Sequence, residues 1–242
     1  KDHRLSGNAL DPSDRDGGIN IANWPVHGMY MPDAIQSFRA KGGRTFVITA
    51  NEGDARDYDG YSEEARVGSS GYVLDPVIFP NAAALKDTAA LGRLTVTTAS
   101  GDLDGDGDFD RIQAFGGRSV SILDQQGRLV WDSGDQFEVI QAANRPELFN
   151  VSNNNNTVDD RSDDKGPEPE AITVGRVGDK TYAFIGCERD GTIYAYDLTD
   201  PRNPRYAARA DFRIPTGDPA QGTAGDLGPE GIAFVPAAES PT

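Results

Sequence analysis

The chain has 242 residues, ample for a buried core, and carries 39 acidic side chains against 23 Lys and Arg, a formal charge of −16. A surface of that sign repels phosphate backbones and anionic membranes, which sets aside nucleic-acid binding and electrostatic membrane docking. No apolar run approaches the roughly 18 residues of a membrane-spanning helix, and the opening KDHRLSGN is not a signal peptide.

With 28 glycines, 15 prolines and β-branched or aromatic residues in short runs, the composition predicts many short strands joined by turns. The single cysteine, Cys187, sits in an apolar run and reads as a buried thiol with no disulfide partner.

In chain order, DPSDRDGGINIANW packs Asp11, Asp14, Arg15 and Asp16 ahead of glycines. MPDAIQSFRAKGGRTFVITANEGD, from Met31, then gives Pro-acid-Ala-Ile, a Gly-Gly turn, a strand and Glu52. The same spelling returns in EPEAITVGRVGDKTYAFIGCERDG from Glu168, ending its strand at Glu188. It begins again in GPEGIAFVP from Gly228, with Glu230 in the acid position. Two strand-turn-strand units and the start of a third form an internal repeat, the pattern of propeller blades. Between the first two units lie GRLTVTT, RIQAF, RSVSILD and GRLVWDS, which predict one antiparallel four-stranded sheet. After the second unit, GTIYAYDL and RYAARADF flank the turn TDPRNP as two more strands. Helix signals are confined to NAAALKDTAAL (81–91) and DQFEVIQAAN (135–144). The segment 150–166, NVSNNNNTVDDRSDDKG, reads as a polar surface loop, and Asn150 and Asn155 fit glycosylation sequons.

GDLDGDGDFD (101–110) places Asp102, Asp104, Asp106, Asp108 and Asp110 on alternate positions. Such crowding is repulsive without a cation, and hard oxygen donors around tight glycine turns suit Ca²⁺. An EF-hand would carry glutamate where Gln113 stands, and the flanks read as strands. The spacing D-x-D-x-D-G-x-x-D, closed by Asp110, fits a calcium loop between strands, and a solvated acidic turn is the alternative. The cofactor expected is therefore Ca²⁺, in a site that pins a hairpin.

The repeat carries a second expectation. Blades related by rotation put equivalent acids around one axis, so Asp33, Glu52, Asp54, Glu170, Glu188 and Glu230 are candidate channel acids. Arg15 and Arg56 are candidates to hold a phosphate beside cations there. For any one cluster the alternative is a solvated loop with weak surface ion pairs. His3 and His27 are the only histidines and lack a zinc-binding spacing, and no GxSxG elbow, P-loop or GxGxxG is present.

The strings DPSDRDGGINIANWPVHGMYMPDAI, TANEGDARDYDGYSEEARV, GRLTVTTASGDLDGDGDFD, RSDDKGPEPEAITVG and GDLGPEGIAFV resemble the choice-of-anchor I domain family. That family takes in proteins similar to the mesenchyme-specific cell-surface glycoprotein and bacterial members named atypical alkaline phosphatase. The resemblance implies a secreted or surface-anchored β-propeller-like domain that binds calcium, in an extracellular, cell-surface or periplasmic setting. It carries over no catalytic residue. Family members are longer, so the chain is expected to be a partial propeller over 1–242, with blade-like units near 31–66, 92–133, 168–212 and 228–242. The remaining blades are then expected from further polypeptide or another chain, with cell-envelope or surface-layer partners.

The expected fold is all-β and propeller-like with antiparallel blades. The expected function is a calcium-binding surface module with an adhesion, envelope-structural or mineral- and phosphate-handling role. Two alternatives stay open, a calcium-dependent, alkaline phosphatase-like phosphomonoesterase and a purely structural subunit of a surface layer.

Overall fold

The computed structural model describes residues 1–240. The strands are β1 (Val26–Gly28), β2 (Ala34–Arg39), β3 (Thr45–Asn51), β4 (Asp57–Tyr58), β5 (Tyr61–Ser62), β6 (Glu64–Arg66) and β7 (Thr95–Thr97). They continue as β8 (Ile112–Ala114), β9 (Ser119–Leu123), β10 (Leu129–Asp132), β11 (Pro169–Val177), β12 (Lys180–Cys187), β13 (Thr192–Asp197) and β14 (Arg205–Asp211). Two α-helices interrupt them, α1 (Ala82–Leu85) and α2 (Gln136–Asn144).

The fold is nearly all-β, built of three four-stranded sheets ordered β1-β8-β7-β6, β10-β9-β3-β2 and β11-β12-β13-β14, with β4 and β5 forming a separate two-stranded hairpin. Pairing is antiparallel except between β1 and β8. Both repeats fold as hairpins in the same way. Ala34 pairs with Ala50 and Ala171 with Gly186, so in each the Pro-acid segment lies beside the far strand's end. Even the strained backbone recurs, since Met31 (φ 42°) and Glu168 (φ 51°) both adopt left-handed conformations directly before proline. Strand β11 runs next to β2 and β3, which brings the two hairpins together.

One core lies between the second and third sheets. Alternate residues of β3, β9, β12 and β13 supply Ile48, Ile122, Ile185 and Tyr194, and α2 adds Phe137. Phe137 meets Tyr194 edge-on at 4.9 Å between ring centroids. A second core under the first sheet gathers Val26, Tyr72, Leu91, Val96 and Ile112, with Tyr72 stacked on Phe109 at 4.0 Å. Cys187 is buried in the first core and free.

Three local expectations are corrected. The strands of 92–133 do not form one sheet, because β7 and β8 join β1 and β6 while β9 and β10 join β3. The physical reason is that β9 pairs with the apolar β3 over five residues, from Val47↔Leu123 to Asn51↔Ser119, and so is drawn into the first repeat. Of 81–91 only Ala82–Leu85 is helical, and the Asn81 side chain makes no capping bond. Segment 150–166 is no surface loop. Asn150, Val151, Ser162, Asp163 and Lys165 are buried, and Asn150 is thereby withdrawn from the surface a glycan needs. Its polarity is satisfied internally. Arg118 donates to the carbonyls of Asp11, Ser162 and Asp164 and to Glu138, tying the segment to β9 and to the chain start.

Candidate metal centres

The aspartate loop bridges β7 and β8. One carboxylate oxygen each from Asp102, Asp104 and Asp110 lies within 4.8 Å of the others. Backbone amides fold the loop around them. Gly105 and Gly107 donate to the two oxygens of Asp102, Leu103 donates to Asp110, and Asp106 donates to Asp104. Each accepting oxygen keeps a lone pair, so these bonds shape the site without exhausting it. Asp106 and Asp108 lie outside the close triad. Asp106 accepts from the Asp108 amide, and Asp108 Oδ1 is buried without a hydrogen-bond partner. Desolvation, followed by repulsion from neighbouring aspartates, raises the carboxyls of Asp104 and Asp108 above their ordinary range. An all-oxygen donor set, crowded and with an orphaned oxygen, fits a hard cation such as Ca²⁺.

The second centre is built by the repeat. Asp33 precedes β2, Glu52 follows β3, and Glu170 is the second residue of β11, and one oxygen of each lies within 4.8 Å of the others. A neighbouring group shares Glu52 and adds Glu168 and Glu188. Glu52 is held there by a backbone crossing that only glycines permit. A Cβ on Gly53 (φ 84°) would lie 2.1 Å from Gly116 N, and one on Gly116 (φ 75°) would meet Glu52 O.

Cations separate these acids. Lys165 Nζ lies 2.5 Å from Glu52 Oε1 and 3.2 Å from Glu168 Oε2. Arg161 and Arg189 also reach Glu168, at 2.7 and 2.9 Å. Glu168 is fully buried, which alone would raise its carboxyl, yet Arg161, Lys165 and Arg189 outweigh burial and hold it below the ordinary value. Glu170 has no such partner. Burial pushes it up to about 7, helped by the charges of Glu52, Glu188, Asp33 and Glu230. Burial also raises Glu52, against the pull of Lys165, and raises Glu188 against Arg189.

The remaining sequence candidates fall elsewhere. Glu230 is exposed, but its charge acts on both Glu170 and Glu188. Asp54 is exposed and accepts from the Ala55 amide, outside the cluster. Arg56 is committed to Glu63 through two bonds of 3.1 Å and covers the Tyr61 ring. Arg15 lies on the exposed side of Asp14, at 3.0 Å. The cations that do reach the carboxylates, Lys165, Arg161 and Arg189, were not singled out by the sequence. The acidic string DDRSDDKGPEPE carried the signal for two of them, but nothing in it told which strand end it would meet.

A third group joins two strings that sequence reasoning kept apart. Asp11, Asp16 and Asp159 each place an oxygen within 4.8 Å of the others. Burial, with the neighbouring carboxylates, pushes Asp11 and Asp159 up to about 7.

The strand ends and one inter-strand loop of this nearly all-β fold gather oxygen-rich carboxylate groups. Residues 1–201 match the choice-of-anchor I domain, and the chain belongs to that family. It is 35% identical over 171 residues to Gigasin-3a of Magallana gigas, covering 65% of this chain and 60% of that protein. It is 28% identical over 214 residues to the mesenchyme-specific cell surface glycoprotein of Strongylocentrotus purpuratus, covering 75% of this chain and 28% of that protein. The chain thus spans 60% and 28% of these relatives' lengths. No solved structure matches it.

Proposed function

We propose that this chain is a calcium-binding module of an extracellular or cell-surface protein, in which the cation pins the aspartate loop between β7 and β8. The observation that carries the reading is the convergence of Asp102, Asp104 and Asp110 in a loop of D-x-D-x-D-G-x-x-D spacing. The surface setting is supported by similarity to a protein named as a cell surface glycoprotein. The role that follows is structural or adhesive, with calcium stiffening a module that presents its surface to other components. The test is thermal unfolding with Ca²⁺ and with chelator. A cation bound only to the folded state raises the midpoint, by about 2.7 kcal/mol of stability at a hundredfold excess over Kd. Superimposable curves in the two conditions overturn the reading.

A second reading, a metal-dependent phosphomonoesterase, is favoured by one observation. Asp33, Glu52 and Glu170 converge beside Lys165, with Glu170 near pH 7 and so able to exchange a proton at neutral pH. A divalent cation there would supply Lewis-acid polarisation of a phosphoryl oxygen. Calcium-dependent hydrolysis of a simple phosphomonoester, lost in Glu170→Gln, selects this reading. No hydrolysis by folded, calcium-loaded protein leaves the binding module.

A further inference from the structure

A cavity of about 630 Å³ opens beside the aspartate loop, lined by Arg4, His27, Phe79, Asn81, Asp110 and Arg111 among others. Its volume is in the range of small-molecule sites. Two of its polar side chains have capacity the fold does not use. The Arg111 guanidinium makes no hydrogen bond or ion pair among the described residues. The Asn81 amide stands at the start of α1 without capping it. His27 Nδ1 is buried without a partner.

Arg4 Nη2 lies 3.4 Å from His27 Nε2 and has only hydrogens to offer, so Nε2 accepts. Burial, with Arg4 and Arg111 nearby, lowers the ring's affinity for a second proton. The single hydrogen therefore sits on Nδ1, which is closed off from the cavity, so the ring offers an entering ligand no hydrogen. Arg4 itself is neutralised by Asp2, through contacts of 2.9 and 2.7 Å. Arg111 is left as the free positive charge in the cavity of a chain whose net charge is −16. Beside it, Asp110 Oδ2 accepts from the Leu103 amide, and the carboxylate's other oxygen remains to accept. Ile78, Phe79 and Leu103 give an apolar wall, and Ile78 and Leu103 are exposed.

We infer that this cavity binds a small hydroxylated organic anion of the acidic-sugar class. Its oxyanion pairs with Arg111, while hydroxyls meet Asn81 and Asp110 and the ring's carbon face lies on Phe79 and Leu103. A carboxylate and a phosphate offer Arg111 the same bidentate edge, so the ligand chemistry is the oxyanion rather than one source of it.

The test is calorimetric titration of the full chain with glucuronate, glucose 6-phosphate and glucose. Saturable binding of either anion, weakened about tenfold in Arg111→Ala and about threefold in Asn81→Ala, supports the inference. Neither substitution cuts a hydrogen bond of the fold, so melting curves of both variants should overlay the parent's. The stronger of the two anions assigns the group as carboxylate or phosphate. Glucose binding as tightly as the anions, Arg111→Ala leaving affinity unchanged, or no binding of all three at about 10 mM each overturns it.

Discussion

Lys165 Nζ lies 2.5 Å from Glu52 Oε1, although 113 residues separate the two in sequence. The contact joins the end of β3 in the first repeat to the segment that enters β11 in the second. Lys165 also donates to the carbonyl of Gly53, at 2.8 Å, and pairs with Glu168. A single ammonium thus holds two carboxylates and a backbone oxygen at the meeting of two hairpins. Burial opposes its charge, yet Glu168 and Glu52 outweigh burial and keep its proton affinity above that of a free lysine.

Removing that charge leaves Glu52 and Glu168 facing each other with less compensation. Lys165→Met is therefore expected to destabilise by about 3 kcal/mol, the scale of breaking a buried ion pair from one side. Lys165→Met with Glu52→Gln should recover part of the loss, because the stranded carboxylate is also gone. Denaturant unfolding of the single and double variants checks both statements. A single variant as stable as the parent refutes the role of this pair.

How far this arrangement was legible follows from where the interactions lie. The hairpins of both repeats were readable because their apolar runs alternate around Gly turns, and the fold class followed from their recurrence. The acids Asp33, Glu52 and Glu170 were readable for the same reason, since equivalent positions in equivalent hairpins fall at the same strand end. Lys165 and the burial of 150–166 were not. That segment looks solvated by composition, and the Arg118 guanidinium, which donates to its Ser162 carbonyl, and the Glu138 carboxylate, which accepts from its Asn150 amide, make it an interior element. The regrouping of β7 and β8 was hidden too, because strand partners depend on distant segments such as β1.

Within the aspartate loop, Asp102 and Asp104 are expected to separate two effects. Asp102 accepts from two backbone amides, Gly105 and Gly107, so Asp102→Ala should lose calcium-dependent stabilisation and also cost about 1–2 kcal/mol without calcium. Asp104 is exposed and accepts only from Asp106, so Asp104→Ala should lose the calcium effect while its metal-free melting curve overlays the parent's. Thermal unfolding in calcium and in chelator reads both. Full calcium stabilisation in Asp104→Ala would rule this residue out as a ligand.

Phe234 stacks on Phe184 at 5.8 Å and covers Gly175, where an added Cβ would come within 2.3 Å of its ring. Gly175→Ala should push Phe234 away, with an overpacking cost of about 1–3 kcal/mol if the ring stays and a freed segment if it leaves. Limited proteolysis around residues 228–236 is expected to speed up in Gly175→Ala and in Phe234→Ala, while the sheet amides stay protected from hydrogen exchange. Equal cleavage rates in parent and variants would show that this contact does not hold the segment.

The raised carboxyls fix the direction of the pH dependence. Burial pushes Glu170, Asp11 and Asp159 up to about 7 in the folded chain, well above the ordinary carboxylate range of the unfolded chain, so between those limits the native state holds protons the unfolded state has released. Each then contributes stability at acid pH that is lost as pH rises toward 7. The depressed acids Glu63 and Asp197, both near 2, contribute stability that is complete above their unfolded values and hence flat across this window. His3, lowered by burial to about 3, works the other way, since its unfolded ring gives up its proton as pH passes 6.5. Asp190, also pushed up to about 7 by burial, adds to the carboxyls, while His27 and the N-terminal amine, both lowered by burial, add to His3. The four carboxyls outweigh these groups, and metal-free protein should melt at a lower temperature at about pH 8 than at about pH 5.5. Glu170→Gln should flatten part of that slope, because the amide cannot ionise. A divalent cation bound at Asp33, Glu52 and Glu170 favours the ionised carboxyl and should flatten it as well in the parent but not further in the variant. Melting curves across this range, in chelator and in calcium, decide it. A metal-free midpoint that rises steadily with pH would contradict the burial of these carboxyls.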